Sequence, residues 1–273
     1  MAFDISKYAN ISPSEARHLI RAGKLPYPTA GMCAGYAQAN LVILPAAWAE
    51  DFAVFAKKNP GPCPVLEIVR GTPLTRRMAA GGDITRDIPR YRVYRNGALA
   101  EELDDVSALW QDDFVGFLIG CSFSFEEALM RAGIPMRHID CGCNVSMYKT
   151  NIQTEPAGPF SGPMVCSMRP MQPEQAKLAK EITALMPNVH GAPVHIGNPA
   201  EIGVSDLAHP DYGDPVPLRE GEIPVFWPCG VTPQAALENA RPELAITHAP
   251  GYMFITDIVN AELNGYLEKN PPC

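Results

Sequence analysis

Apolar residues along the chain switch between helix-like and strand-like spacing, and the switches predict most of its elements. Ser12-Pro13-Ser14-Glu15 combines an N-cap, a proline at the first helical position and a capping-box glutamate, and Gly23 closes that helix. The stretch from Leu25 to Pro45 is uncharged, rich in Gly and Pro, and ends in a short apolar run. Trp48, Phe52 and Phe55 share one face of a helix over 46–57, which Asn59-Pro60-Gly61 stops. PVLEIV (64–69) reads as a buried strand, and Asn96-Gly97 after Tyr91–Tyr94 is the strongest hairpin signal in the chain. Residues 114–120 form an apolar strand. Further strands are expected at 144–152, 162–170, near Val194 and at 223–227, with helices at 173–185 and from Pro233. A closing helix is expected from Asp257 to Leu267.

Strands alternating with helices predict an α/β fold, a mainly parallel sheet with helices on both faces. The change of character near Met130 suggests a smaller inserted α+β domain over 130–204, within a main domain made of 1–129 and 205–273.

Composition narrows the function. The 273 residues are 47% hydrophobic and 19% charged, a globular balance, and the formal net charge is −8. With no basic stripe to offset that charge, nucleic acid and acidic membrane surfaces are poor partners, and a small-molecule substrate is expected. No apolar run approaches the roughly 20 residues of a membrane helix. MAFDISKY lacks the pattern of a signal peptide, so the cytoplasm is the expected compartment. The eight cysteines then read as reduced thiols, and their spacing matches no zinc site. GxGxxG and GxxxxGK[ST] are both missing, so neither a cofactor nor a metal is expected. A homodimer is compatible with an acidic enzyme of this size. The 28 prolines and 22 glycines imply shaped loops, which is where binding groups usually sit.

Two segments carry the best candidate chemistry. FLIGCSFSFEEAL (117–129) and VFWPCGVTPQAAL (225–237) each run from an apolar strand through a cysteine, Cys121 or Cys229, into a helix start. Ser122 and Gly230 follow the cysteines, then Ser124 and Thr232. Such junctions lie at strand ends where ligands bind, and helix-start N–H groups favour a carboxylate. Either cysteine alone reads as a packing residue; the matched pair points equally to a shared site for a small anion. Ser124 and Thr232 read first as helix caps. Two facing thiols also suit proton transfer at a carbon flanked by carboxylates, as in cofactor-independent racemases.

Other residues offer chemistry with a structural alternative beside each. His248 is a candidate general base or a satisfied half-buried histidine. Asp257 is a candidate acid or the cap of the last helix. Arg169 is a candidate carboxylate clamp or a structural ion pair. Asn40 and Gln38 are candidate ligand contacts or loop-satisfying amides. Asp206, His209 and Asp211 read as a solvated loop rather than a metal set.

PTAGMCAGYAQANLVILP, DFAVFAKKNPGPCPVLE, FLIGCSFSFEEAL, NVSMYKTNI, VCSMRP, FWPCGVTPQAAL and ITHAPGYMFITD, taken in order from about Leu25 to Asp257, resemble the D-glutamate cyclase family. That resemblance implies dehydration of D-glutamate to 5-oxo-D-proline and a two-part α/β architecture. The sequence departs from the family pattern at Pro228, at Tyr252 and in DITRDIPRY (83–91), where Arg86 bears on substrate identity if it holds a carboxylate. For such a ring closure, His248, or Asp257 acting through it, is the candidate proton carrier. Arg169 is then the clamp for the α-carboxylate, with Ser122, Ser124, Thr232 and Asn40 lining the pocket. Two other readings stay open: a racemase or other lyase using Cys121 and Cys229, and a metabolite-binding protein without turnover.

Overall fold

Ser12 caps the first helix through its own oxygen, which accepts the Glu15 N–H at 3.2 Å, and helix α1 runs Pro13–Arg21. The computed structural model describes Ile5 to Pro272; Met1–Asp4, within the stretch searched for a signal peptide, and Cys273 lie outside the described residues. The uncharged stretch ends in strand β1 (Tyr36–Pro45), which passes directly into α2 (Ala46–Lys58). Residues Ala39, Leu41 and Ile43 of β1 enter one core, and Val42 and Leu44 enter another with Phe52 and Phe55 of α2. Both faces of β1 are therefore buried, which accounts for its unbroken apolar run.

Strand β2 (Val65–Arg70) follows, then the hairpin β3 (Tyr91–Arg95) and β4 (Ala98–Leu103). Asn96 and Gly97 take φ of 50° and 80° at its turn, the backbone that such a tight hairpin requires. Strand β5 (Phe114–Gly120) leads into α3 (Phe123–Arg131), followed by the short α4 (Arg137–Asp140) and β6 (Ser146–Gln153). Strand β7 (Pro163–Met171), α5 (Pro173–Ala184), β8 (His195–Ile196), β9 (Ile223–Pro228) and α6 (Thr232–Ala240) come next. Strands β10 (Ala245–His248) and β11 (Phe254–Val259) and helix α7 (Leu263–Lys269) complete the chain. Among the described residues no helix is long and apolar enough to cross a membrane.

The α/β class is as expected, but the parallel sheet is not. Every pairing is antiparallel in a seven-stranded sheet ordered β2-β5-β1-β10-β3-β4, with β11 also on β1, and in a four-stranded sheet ordered β6-β7-β9-β8. The reason is specific. β1 and β2, joined by α2, do run in the same direction, but β5 fills the slot between them in the opposite direction. The same happens to β7 and β8 across α5, with β9 between them. Strand–helix alternation records the crossover and is blind to a third strand inserted later.

Two further expectations change. The last helix does not open at Asp257; Thr256 Oγ1 donates to Ala37 O at 2.7 Å and Phe254–Val259 pairs with β1, so tertiary pairing holds this segment as a strand. The expected return to the main domain at 205 falls before β9, yet β9 belongs to the same sheet as β6, β7 and β8.

The two sheets repeat one plan. In each, a central strand (β1 or β7) leads through a helix (α2 or α5) to an edge-ward strand (β2 or β8). The strand that then enters beside the central one (β5 or β9) ends in a cysteine turn and a helix (α3 or α6). The fourth strand is exchanged: β6, which follows α3, pairs with β7, while β10, which follows α6, pairs with β1. This exchange ties the halves together around the two turns.

Candidate active site

The two cysteine turns are built alike atom by atom. Ser124 Oγ accepts the Gln38 N–H at 3.0 Å, and Thr232 Oγ1 accepts the Val165 N–H at 3.0 Å. Gln38 and Val165 stand equally far before the starts of α2 and α5, so the two hydroxyls pin equivalent points of equivalent strands. Neither residue is among those lining the cavity between the turns, and Ser124 borders a larger depression beside α3. Each thiol in turn receives the N–H of the second residue beyond it, Phe123 for Cys121 and Val231 for Cys229.

Both cysteines belong to one packed cluster with Val145, Met147 and Val165, and both line one cavity at the junction of the halves. The cavity is narrow, with about 10 Å³ of water-accessible space, and is shared by Asn40, Ser122, His190 and Gly230. The larger depression, of about 400 Å³ beside α3 and residues 259–264, is lined by Glu127 and Arg131, which pair with each other. Burial pushes the Cys121 thiol well above its ordinary range, the Phe123 N–H counters in part, and the neighbouring Cys229 raises it further. Burial takes Cys229 up to about 11, opposed by the Val231 N–H and by Arg169. At rest both are thiols.

His190 is the group that sequence reasoning missed. It sits in a turn after α5 with φ 84°, 3% exposed, and its Nδ1 meets Gly61 O at 2.8 Å. A carbonyl can only accept, so Nδ1 carries the proton and Nε2 presents a lone pair. Nε2 is buried and has no hydrogen-bond partner among the described residues. Burial lowers the ring's pKa to about 4, with the Gly61 bond opposing and Arg169 reinforcing, so the ring is neutral at pH 7. The loop carrying it approaches closely: a Cβ on Gly120 would stand 1.9 Å from Asn188 O. No local signal marks His190; its neighbour Gly191 shows only a turn.

Arg169 is 1% exposed and already occupied. Its Nε donates to Glu126 Oε1 at 2.9 Å, Nη1 to Ser167 Oγ at 2.9 Å and Nη2 to Ser122 Oγ at 2.9 Å, with a further contact to Glu126. The guanidinium lies 5.0 Å from the Phe125 ring centroid and 5.6 Å from that of Trp227. It therefore reaches the cavity through Ser122, whose oxygen accepts from Arg169 and whose own proton is left to point elsewhere. Burial opposes ionisation of Glu126, but His138 and Arg169 outweigh it and hold the carboxyl at about 2. His138 Nε2 lies 3.3 Å from Glu126 Oε1, an ion contact rather than an aligned hydrogen bond.

Of the residues singled out from sequence, Asn40, Cys121, Ser122 and Cys229 meet at the cavity. Asn40 Nδ2 donates to Gly120 O at 2.6 Å, and Gly230 packs so tightly on it that a Cβ there would stand 2.0 Å from Nδ2. His248 lies elsewhere, fully buried on β10 with Nδ1 at 3.1 Å from Leu41 N and 3.2 Å from Leu41 O; burial lowers its pKa to about 4. Asp257 neither caps a helix nor touches His248: it pairs with Arg17 at 2.9 Å on the half-exposed edge of β11. Arg86 is exposed and paired with Asp105 at 3.1 Å. Gln38 Nε2 donates to Thr29 O at 3.0 Å, satisfying its loop. His209 Nδ1 meets Asp206 at 2.7 Å in an exposed turn, and Asp211 accepts the Lys149 N–H at 2.8 Å.

Comparison with known proteins adds what geometry alone does not. A sequence profile described as D-glutamate cyclase matches residues 115–257, a span holding both cysteine turns, Arg169 and His190. A protein of Clostridium beijerinckii is 55% identical over 257 residues, covering 94% of this chain and 98% of its own length. A Bacillus velezensis protein is 57% identical over 256 residues (93% and 97%), and one of Bacillus subtilis 56% over 254 (93% and 99%). All three are provisionally named hydro-lyases. Among solved structures, a nitrogen repressor-like protein from Methanococcus jannaschii aligns over 86% of this chain and 91% of its own at 9% identity, with a TM-score of 0.38.

Proposed function

The chain belongs to the D-glutamate cyclase family, and from its cavity we propose that it is a hydro-lyase closing D-glutamate to 5-oxo-D-proline. The observation that carries this reading is the unpartnered Nε2 of His190, a buried neutral base in the cavity shared by the two helix starts.

Ring closure forms a bond from the α-nitrogen to the carbon of the side-chain carboxyl group and releases one oxygen of that carboxyl with two nitrogen-bound protons as water. His190 Nε2 takes the first ammonium proton, which frees the nitrogen lone pair for attack. As attack proceeds it passes that proton to a carboxyl oxygen, and it then carries the second proton from nitrogen to the same oxygen, now a hydroxyl, which leaves as water. Its low pKa suits the role in one respect, since an imidazolium in this buried setting gives up its proton readily. The positive ends of the α3 and α6 dipoles favour the carboxylate and the tetrahedral oxyanion, although the Ser124 and Thr232 N–H groups are taken up within the turns by Cys121 O and Cys229 O. Folding the substrate so that amine and γ-carboxyl touch supplies much of the acceleration. Ser122, its oxygen held by Arg169, is a donor toward the ligand, and Arg169 is a positioning residue rather than a direct clamp. Little of the cavity is wide enough for a water molecule, so the substrate enters as the halves part around the turns.

The test is direct. Purified protein given D-glutamate releases 5-oxo-D-proline, and His190→Gln lowers kcat about 100-fold or more while D-glutamate still raises the melting temperature. No turnover of D-glutamate, with or without added divalent metal, overturns the substrate assignment. Ligand stabilisation without turnover would mark a binding protein instead.

A further inference from the structure

The duplicated plan has a chemical consequence at the cavity. One thiol from each half lines this cavity, so a ligand seated there meets both. Each thiol sits at the same point of the same motif, beside an N–H of the following turn, so the two are chemically equivalent in all but their neighbours. They share one packed cluster and feel each other's charge. Ring closure, as derived above, employs neither.

We infer that Cys121 and Cys229 form a base–acid pair across the α-carbon of the bound amino acid, so that the same cavity racemises glutamate. The inference rests on the reading that this cavity takes a small amino dicarboxylate. His190 Nε2 takes the proton of one thiol and leaves a thiolate. The thiolate removes the α-hydrogen as a proton, forming an S–H bond and breaking the Cα–H bond. The electron pair left behind is shared with the α-carboxylate as an enediolate, whose negative charge the positive ends of the α3 and α6 dipoles favour. The opposite thiol then delivers its proton to the other face of the carbon. One thiol and one thiolate have exchanged places, configuration is inverted, and no oxidant or cofactor is consumed. The repeated arrangement suits this step because one thiol from each half is available to each antipode from one ligand position.

Burial disfavours either thiolate in the empty cavity, and a bound α-ammonium offsets that penalty with a positive charge beside the sulfur. Thiol chemistry is thereby tied to occupancy.

One experiment separates this from ring closure. The intact protein is incubated with D-glutamate in deuterated water, and glutamate and 5-oxoproline are resolved by chirality and by α-deuterium content. The expected result is α-deuterated L-glutamate, falling at least 100-fold in Cys121→Ser and in Cys229→Ser. Unlabelled 5-oxo-D-proline beside unlabelled D-glutamate overturns the thiol pair and leaves ring closure standing. Labelled L-glutamate without 5-oxoproline sustains the thiol pair and overturns ring closure; neither product overturns both. The wild-type label decides the question even if a serine variant fails to fold.

Discussion

The two cysteine turns share a frame and differ in what stands beside it. At the first, Ser122 is tied to Arg169, which with Glu126 and His138 forms a buried charged web. At the second, Gly230 takes the equivalent place and lies against the neutral amide of Asn40. Duplication thus supplies two equivalent thiols and helix starts, and divergence supplies polarity: one wall is backed by charge, the other by close packing. A ligand with unlike ends, such as an amino acid, can be oriented by a cavity of that kind even though its scaffold is nearly symmetric.

Removing the charge on one wall breaks the comparison most strongly. Arg169→Met strands Glu126 in the interior and should cost about 3–5 kcal/mol of stability. Chemical denaturation of Arg169→Met and of the double variant Arg169→Met/Glu126→Leu checks this, since the double variant should recover most of the loss. A second variant as unstable as the first would show that the web does not act through paired charge.

Acid should act on both sides in sequence. His190 and His248 have pKa values of about 4 against an ordinary 6.5, so their stabilising effect is complete above about pH 6.5 and is lost as pH falls through 4. Each contributes on the order of 3 kcal/mol over that window. Glu126, at about 2 against 4.5, adds a further loss only as pH falls from 4.5 toward 2. Unfolding free energies measured from pH 7.5 to 4 should therefore fall steeply in the wild type and less so in His248→Gln.

The shared frame predicts equality where the walls predict difference. Ser124→Ala and Thr232→Val each strand one buried strand N–H, Gln38 or Val165, and should each cost about 1–3 kcal/mol. Matched values support the duplicated design; a gap larger than the pair's own cost would limit the likeness to backbone shape. The smallest effect belongs outside both walls. Arg86→Ala removes an exposed ion pair and should change stability by less than about 0.5 kcal/mol and leave D-glutamate turnover unchanged.

Much of this was legible in the chain itself. Capping and turn chemistry located α1, the hairpin at Asn96-Gly97 and both cysteine turns, because each depends on neighbours within a few residues. Cys121, Ser122 and Cys229 were found through those local signals, Asn40 as an amide on the uncharged stretch before them, and the four share a cavity. His248 and Asp257 stood out for their residue types in a conspicuous segment, but β-pairing with β1 and β3 holds these two on strands outside the cavity, while Gly251 and Met253 of the turn between them line it.

The sequence by itself determined where strands end in cysteine and helices begin, since hydrogen bonds at caps and turns close over short distances. Only the tertiary structure decided strand direction, because β5 and β9 enter slots opened by residues far earlier in the chain. It alone brought His190 to the cavity, through a bond to Gly61 O from a loop with no pattern of its own. It also settled that Arg169 serves Glu126 and Ser122, a choice made by whichever charge is buried beside it.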